Sequence, residues 1–405
     1  MPIKINRISL LAVIAMLYAG PGLANNPAAS ADASAPAAAA VKANAARPKN
    51  SPEYDQALAA LDNRQLELAE KLFKQAALKQ PKSPLPVIGL AEVARLNKNE
   101  AEAERLLRKA VEVDPKSPQS RLVLGAALFL RGKFAESEKQ FLKAEELAPN
   151  ALPPLLALAD LYLKGLKDPA KAAEYFSKVL VLKPDYAAAH LGLGLSYATL
   201  KDYAKADASL DQARKLAPAN PLPLMAQSQL QMSRGNTQGA ITTMQEAGKL
   251  APTMAEIPLR LGMYYQQEKQ WPEAYAAYEN AIRLNDKLVI AYNNLAWIAA
   301  ERKERLDDAE RWAARAVELV PQEPALKDTY AWVKRARGDH KGALELLLSI
   351  TGSGNPPADF FYHLGIVREE SGQKTEAVAA YKRALQINPK FPQADDARQR
   401  MEKLG

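Results

Sequence analysis

The chain has 405 residues, an apolar fraction of 48%, a formal net charge of +8 and no cysteine. The missing thiol excludes disulfides, thiolate nucleophiles, thiolate metal sites and the cysteine on which a lipoprotein is anchored. The charge is interleaved, with 16 basic and 15 acidic side chains over residues 51–150 and 14 and 15 over 251–350. That pattern describes a solvated surface, unlike the clustered Lys and Arg with which a nucleic-acid binder neutralises phosphates.

The chain opens with the three parts of an export signal. Lys4 and Arg7 give a positive start, Ile8 to Ala19 is apolar, and Gly20-Pro21-Gly22 breaks the helix before Leu23, Ala24 and Asn25. A membrane-spanning helix needs roughly 20 apolar residues, and this run is shorter. Residues 1–24 are therefore expected to be a signal peptide cleaved after Ala24, with an uncleaved anchor as the alternative. Cleavage would place the chain outside the cytoplasm, in the periplasm or secreted. Residues 25–50 are mostly Ala with Pro, Ser and Asn. They carry too little apolar side chain to offset ordering entropy, and a disordered Ala/Pro-rich tether is expected.

From residue 51 the chain repeats itself. Pro81, Pro115 and Pro149 are 34 residues apart, Pro184 follows after 35, and Pro218 and Pro252 after 34 each. Asp286, Pro321, Asn355 and Pro389 continue the series. Before each mark, a helix carries a small–large–small pattern: Ala69, Phe73 and Ala76, then Ala103, Leu107 and Ala110, later Ala274, Tyr278 and Ala281, and finally Ala377, Tyr381 and Ala384. An earlier helix in each unit places a small residue at Ala91, Gly125, Ala159, Gly194, Gly262, Ala296, Ala331 and Gly365. Small residues let two helices approach closely while the large one fills the gap to the next unit. Proline ends the second helix because the residue before it is pushed out of the α region. Turns such as Arg131-Gly132-Lys133 and Arg234-Gly235-Asn236 separate the two helices. A single hairpin cannot bury its apolar face, so the units must stack.

A 34-residue helix–turn–helix of this kind resembles the tetratricopeptide repeat, over residues 51–389 in ten units, with 390–405 as a charged capping helix. Some units depart from the pattern: Ser137 stands for a small Ala, and Leu210, Met244 and Ala313 stand for the aromatic. The resemblance implies an all-α, right-handed superhelical solenoid. It also implies a concave groove lined by set positions of the first helices. Carried over, those positions are Leu122, Ala126 and Phe129, then Leu156 and Leu163, then Leu191, Leu195, Met225, Gln229, Met232, Leu259 and Met263. Toward the C-terminus they become Asn293, Trp297, Asp328, Trp332, Arg335, Tyr362 and Ile366. The Lys/Asn/Arg clamp with which some relatives hold a C-terminal carboxylate is absent. Trp297 and Trp332 are expected to anchor a partner, with Trp332 outside the core.

Nothing in the sequence points to catalysis or to a cofactor. His190, His340 and His363 are scattered without partners at ligand spacing. Gly192-Leu193-Gly194 lies inside a helix, whereas a phosphate-binding glycine loop follows a strand. The expected function is an exported, non-enzymatic scaffold or adaptor in the bacterial envelope. Such a scaffold would bind envelope proteins and support an assembly such as an exopolysaccharide export machine. Two alternatives stay open: a polysaccharide-guiding protein with Trp297, Trp332 and Tyr362 as sugar-stacking platforms, and an accessory subunit of an envelope enzyme.

Overall fold

The computed structural model describes residues 51–352 and 354–405. The expected leader and tether, 1–24 and 25–50, lie outside them. The described residues form ten helical hairpins and one terminal helix, without a strand among them. They fall into two compact units, divided after Leu250.

The first unit holds six hairpins: α1 (Pro52–Asp62) with α2 (Leu66–Lys79), α3 (Leu85–Leu96) with α4 (Glu100–Val113), and α5 (Pro118–Leu130) with α6 (Phe134–Leu147). Then come α7 (Leu152–Asp160) with α8 (Pro169–Leu182), α9 (Ala187–Thr199) with α10 (Tyr203–Leu216), and α11 (Leu222–Ser233) with α12 (Thr237–Leu250). The second unit holds four: α13 (Glu256–Gln267) with α14 (Trp271–Leu284), α15 (Val289–Arg302) with α16 (Leu306–Leu319), α17 (Pro324–Ala336) with α18 (His340–Thr351), and α19 (Ala358–Glu370) with α20 (Lys374–Ile387). Helix α21 (Ala394–Leu404) follows. Among the described residues no helix is long and apolar enough to cross a membrane.

The repeat positions explain how each hairpin closes. Phe73, Phe141, Tyr278 and Tyr381 of the second helices are fully buried, each against a first helix that offers a small residue. A Cβ added at Gly365 would come within 2.4 Å of the Tyr381 ring, so no larger residue fits there without moving it. Ser137 keeps the same close approach by another means. Its buried hydroxyl donates to the Gly125 carbonyl at 2.7 Å. In the sixth hairpin the roles swap, and Ser228 on the first helix donates to the Ala240 carbonyl of the second, also at 2.7 Å. A hydroxyl buried at such a contact must find an acceptor, and the facing helix supplies one.

Each hairpin turn holds a residue in the left-handed region. Gly132, Gly235, Gly338 and Gly372 fill four of the ten turns, whereas Arg64, Lys98, Lys167, Lys201, Lys269 and Lys303 fill six. The turn requires the conformation because it closes the first helix: in the third hairpin Gly132 N–H reaches the Phe129 carbonyl and Lys133 N–H reaches that of Leu128, both at 2.9 Å. The fourth hairpin is irregular. Its first helix ends in a π-helical turn, Leu161–Gly165, in the repeat where the proline spacing lengthens by one residue.

Candidate functional site

The first-helix face of the fifth and sixth hairpins is apolar and only partly covered. Leu191 is buried among Ala206, Leu210, Ala213 and Leu230. Leu195, one turn on, is half-buried against the same cluster. Met225 and Met232 of α11 are half-buried and Gln229 between them is exposed. Helical spacing puts all three on one stripe of α11. Methionine is unbranched and polarisable, so a stripe of it adapts to irregular apolar surfaces.

The second unit begins in the same way and then changes. Leu259 of α13 is core, while Met263 is 47% exposed. From α15 onward the corresponding positions carry polar and aromatic groups that join one first helix to the next. The Trp332 indole N–H donates to Glu301 at the end of α15. The Arg335 Nε donates to Glu370 Oε2 at 2.8 Å, and its Nη2 takes the other oxygen. His363 Nδ1 lies 2.9 Å from both carboxylate oxygens of Asp328. A carboxylate only accepts, so that nitrogen carries the proton.

These links enclose the aromatic side chains. The Trp332 ring stacks on Trp297 with centroids 6.0 Å apart and planes at 14°. It also meets His363 at 4.4 Å and carries the Arg335 guanidinium 4.2 Å from its centre. Trp332 is accordingly only 8% exposed, and Asp328, Tyr362 and Ile366 are buried with it. One expectation is corrected here. Trp332 is core, because its neighbours and its hydrogen bond to Glu301 occupy it fully. Of the three rings named as sugar-stacking platforms, Trp332 and Tyr362 are enclosed and Trp297 is half-buried. Leu191 in the first unit and Leu259 in the second are likewise buried. Leu195, Met225, Gln229, Met232, Met263, Asn293, Trp297 and Arg335 are half-buried or exposed.

At the C-terminal end Tyr362 donates to Asp396 of α21 at 2.6 Å, and Tyr381 donates to Glu369 at 2.6 Å. Arg400 reaches both carboxylates, Asp396 at 2.6 Å and Glu369 at 3.1 Å. Burial, with Asp396 accepting its hydrogen bond, pushes the Tyr362 hydroxyl up to about 12. Burial pushes the Asp396 carboxyl upward, but hydrogen bonds from Tyr362 and Arg400 outweigh it and hold the group below its usual value.

From the sequence alone, Glu301 is passed over, Glu370 reads as solvated charge, and His363 is set aside as lacking a partner at ligand spacing. A signal existed for them: Asp328 and His363, like Arg335 and Glu370, stand 35 residues apart. That is one repeat and a residue, so the two members of each pair lie side by side on consecutive first helices.

Models of the tetratricopeptide repeat match residues 54–118, 101–151, 156–221 and 259–324, and a further one matches 358–391. Protein O-mannosyl-transferase Tmtc1 of Drosophila melanogaster is 32% identical over 126 residues, covering 30% of this chain and 15% of that protein. Human protein O-mannosyl-transferase TMTC3 is 22% identical over 250 residues, covering 57% of this chain and 27% of that protein. The chain thus spans about a quarter or less of the length of either relative. A solved tetratricopeptide repeat protein from Parabacteroides merdae is 17% identical, with 62% of this chain and 97% of that one covered and a TM-score of 0.46.

Proposed function

Because this chain belongs to the tetratricopeptide repeat family, whose arrays serve protein–protein interaction, we propose that it is a non-enzymatic scaffold binding an apolar or amphipathic segment of a partner protein. The observation that carries this reading is the half-buried stripe of Leu195, Met225 and Met232 in the first unit. Apolar side chains left partly open on adjacent first helices are stabilised when a partner covers them. The export signal read at residues 1–24 supports placing the scaffold in the bacterial periplasm. There it would assist an envelope assembly such as an exopolysaccharide export machine, and the partner would be an envelope protein.

A pull-down from envelope extract with the full chain tests the reading. The wild type should retain a defined partner that the double variant Met225→Glu, Met232→Glu loses while keeping its helicity. Equal retention by both would place the binding surface elsewhere.

A further inference from the structure

A cleft of about 320 Å³ opens beside the linked aromatics of the second unit, lined by Lys303, Arg335, Ala336, Gly338, His340 and Glu370. Its hydrogen-bonding capacity is unbalanced. Both oxygens of Glu370 accept from Arg335, so the carboxylate that lines the cleft is already engaged. Arg335 spends Nε and Nη2 on that pair, leaving the donors of Nη1. The Lys303 ammonium makes no ion pair among the described residues. Its backbone is left-handed at φ 53, where it closes α15. His340 Nδ1 is hidden from solvent without a hydrogen-bond partner, 3.7 Å from the nearer Glu370 oxygen. Gly338 leaves open space where a side chain would stand.

The capacity left over is thus mostly donors on cationic or neutral groups, on a wall continuous with Trp332 through Arg335. The carbonyl ends of α15 and α17 oppose an anion here, while the first turn of α18 and the Lys303 ammonium favour one. We propose that the cleft takes the carboxylate of an Asp or Glu side chain of a partner protein, with Lys303, Arg335 Nη1 and His340 as its donors. This rests on the protein-binding reading above and concerns a contact made by the second unit alone. Charge-assisted hydrogen bonds are the stronger kind, but Lys303 is exposed, so the preference is modest and falls with salt.

Two measurements on the full chain separate this idea from the groove reading. In the first, N-acetylglutamate α-amide is titrated in while the His340 ring signals are followed by NMR. A saturable shift is expected, absent with N-acetylglutamine amide and lost in Lys303→Met. No shift, or one unchanged in Lys303→Met, would overturn the proposal. An equally large shift with inorganic phosphate would reassign the cleft to phosphorylated segments. In the second, paired apolar peptides differing only by Glu or Gln are bound to the protein. The Glu peptide should bind about five-fold tighter, and Lys303→Met should erase that difference without weakening the Gln peptide. A preference that survives Lys303→Met overturns the cleft and leaves the groove intact. Failure of every peptide, with the His340 shift retained, sinks the groove and leaves the cleft.

Discussion

The first-helix faces of the two units use one repeat frame in opposite ways. In the fifth and sixth hairpins the face is Leu and Met, held only by apolar packing and partly open. In the eighth to tenth hairpins it is Trp, His, Asp, Arg and Glu, tied from helix to helix by hydrogen bonds. A tetratricopeptide frame fixes where side chains point without fixing whether they are spent on the array or left for a partner. Aromatics at groove positions look like binding residues until their neighbours one repeat away are counted. Here those neighbours consume them.

Substitutions in the two faces should sharpen this contrast. The largest effect is expected from Trp332→Ala, which removes a ring packed on three neighbours. It should cost about 3–5 kcal/mol in the second unit, seen as lost hydrogen-exchange protection in α17 and α19. Met232→Ala should cost only about 1 kcal/mol locally, because the side chain is half open. Equal losses at the two sites would erase the distinction.

Asp328→Ala should come next. It leaves the buried His363 without its acceptor, a loss of about 2–3 kcal/mol, while Asp328→Asn, which keeps an oxygen, should lose less. If both variants melt like the wild type, the links are ornament and the aromatic packing alone holds this face.

A smaller, pH-dependent effect belongs to the terminal helix. Asp396 is held below its usual value in the folded state, so its contribution is present at neutral pH. It is lost as pH falls from the ordinary carboxylate value toward the lower folded one. Protection of α21, corrected for intrinsic exchange, should therefore hold from pH 7 to about pH 5 and decline below about pH 4, ahead of α20. Protection that rises with acid would reverse the sign and refute the Tyr362–Asp396–Arg400 account.

Least in size, Lys201→Gly should stabilise the first unit by up to about 1 kcal/mol, because glycine adopts the left-handed turn without strain. A higher urea midpoint checks it. A lower one would mean that Lys201 contributes through its side chain.

Much of this was readable beforehand, for reasons that differ by element. The proline spacing and the small–large–small pattern reveal the hairpins because close helix packing admits few residue types. Ser137 and Ser228 could be marked as small, but their reciprocal hydroxyl bonds required knowing which carbonyl faced them. The left-handed lysines were not legible, since nothing but glycine announces that conformation. The π-helical turn showed only as one extra residue before Pro184. Trp332 was misread because burial depends on what the next repeat contributes, and only a repeat-by-repeat comparison puts His363 beside Asp328.

If a partner lies on the open Met stripe of the first unit and not on the closed aromatic face of the second, cross-linking from each face will separate them. A photo-reactive amino acid placed singly at Met225, at Met232 and at the buried Tyr362, followed by irradiation in envelope extract and mass spectrometry, tests it directly. One common adduct is expected at the two Met positions and none at Tyr362. An adduct at Tyr362 with none at Met225 or Met232 would contradict it.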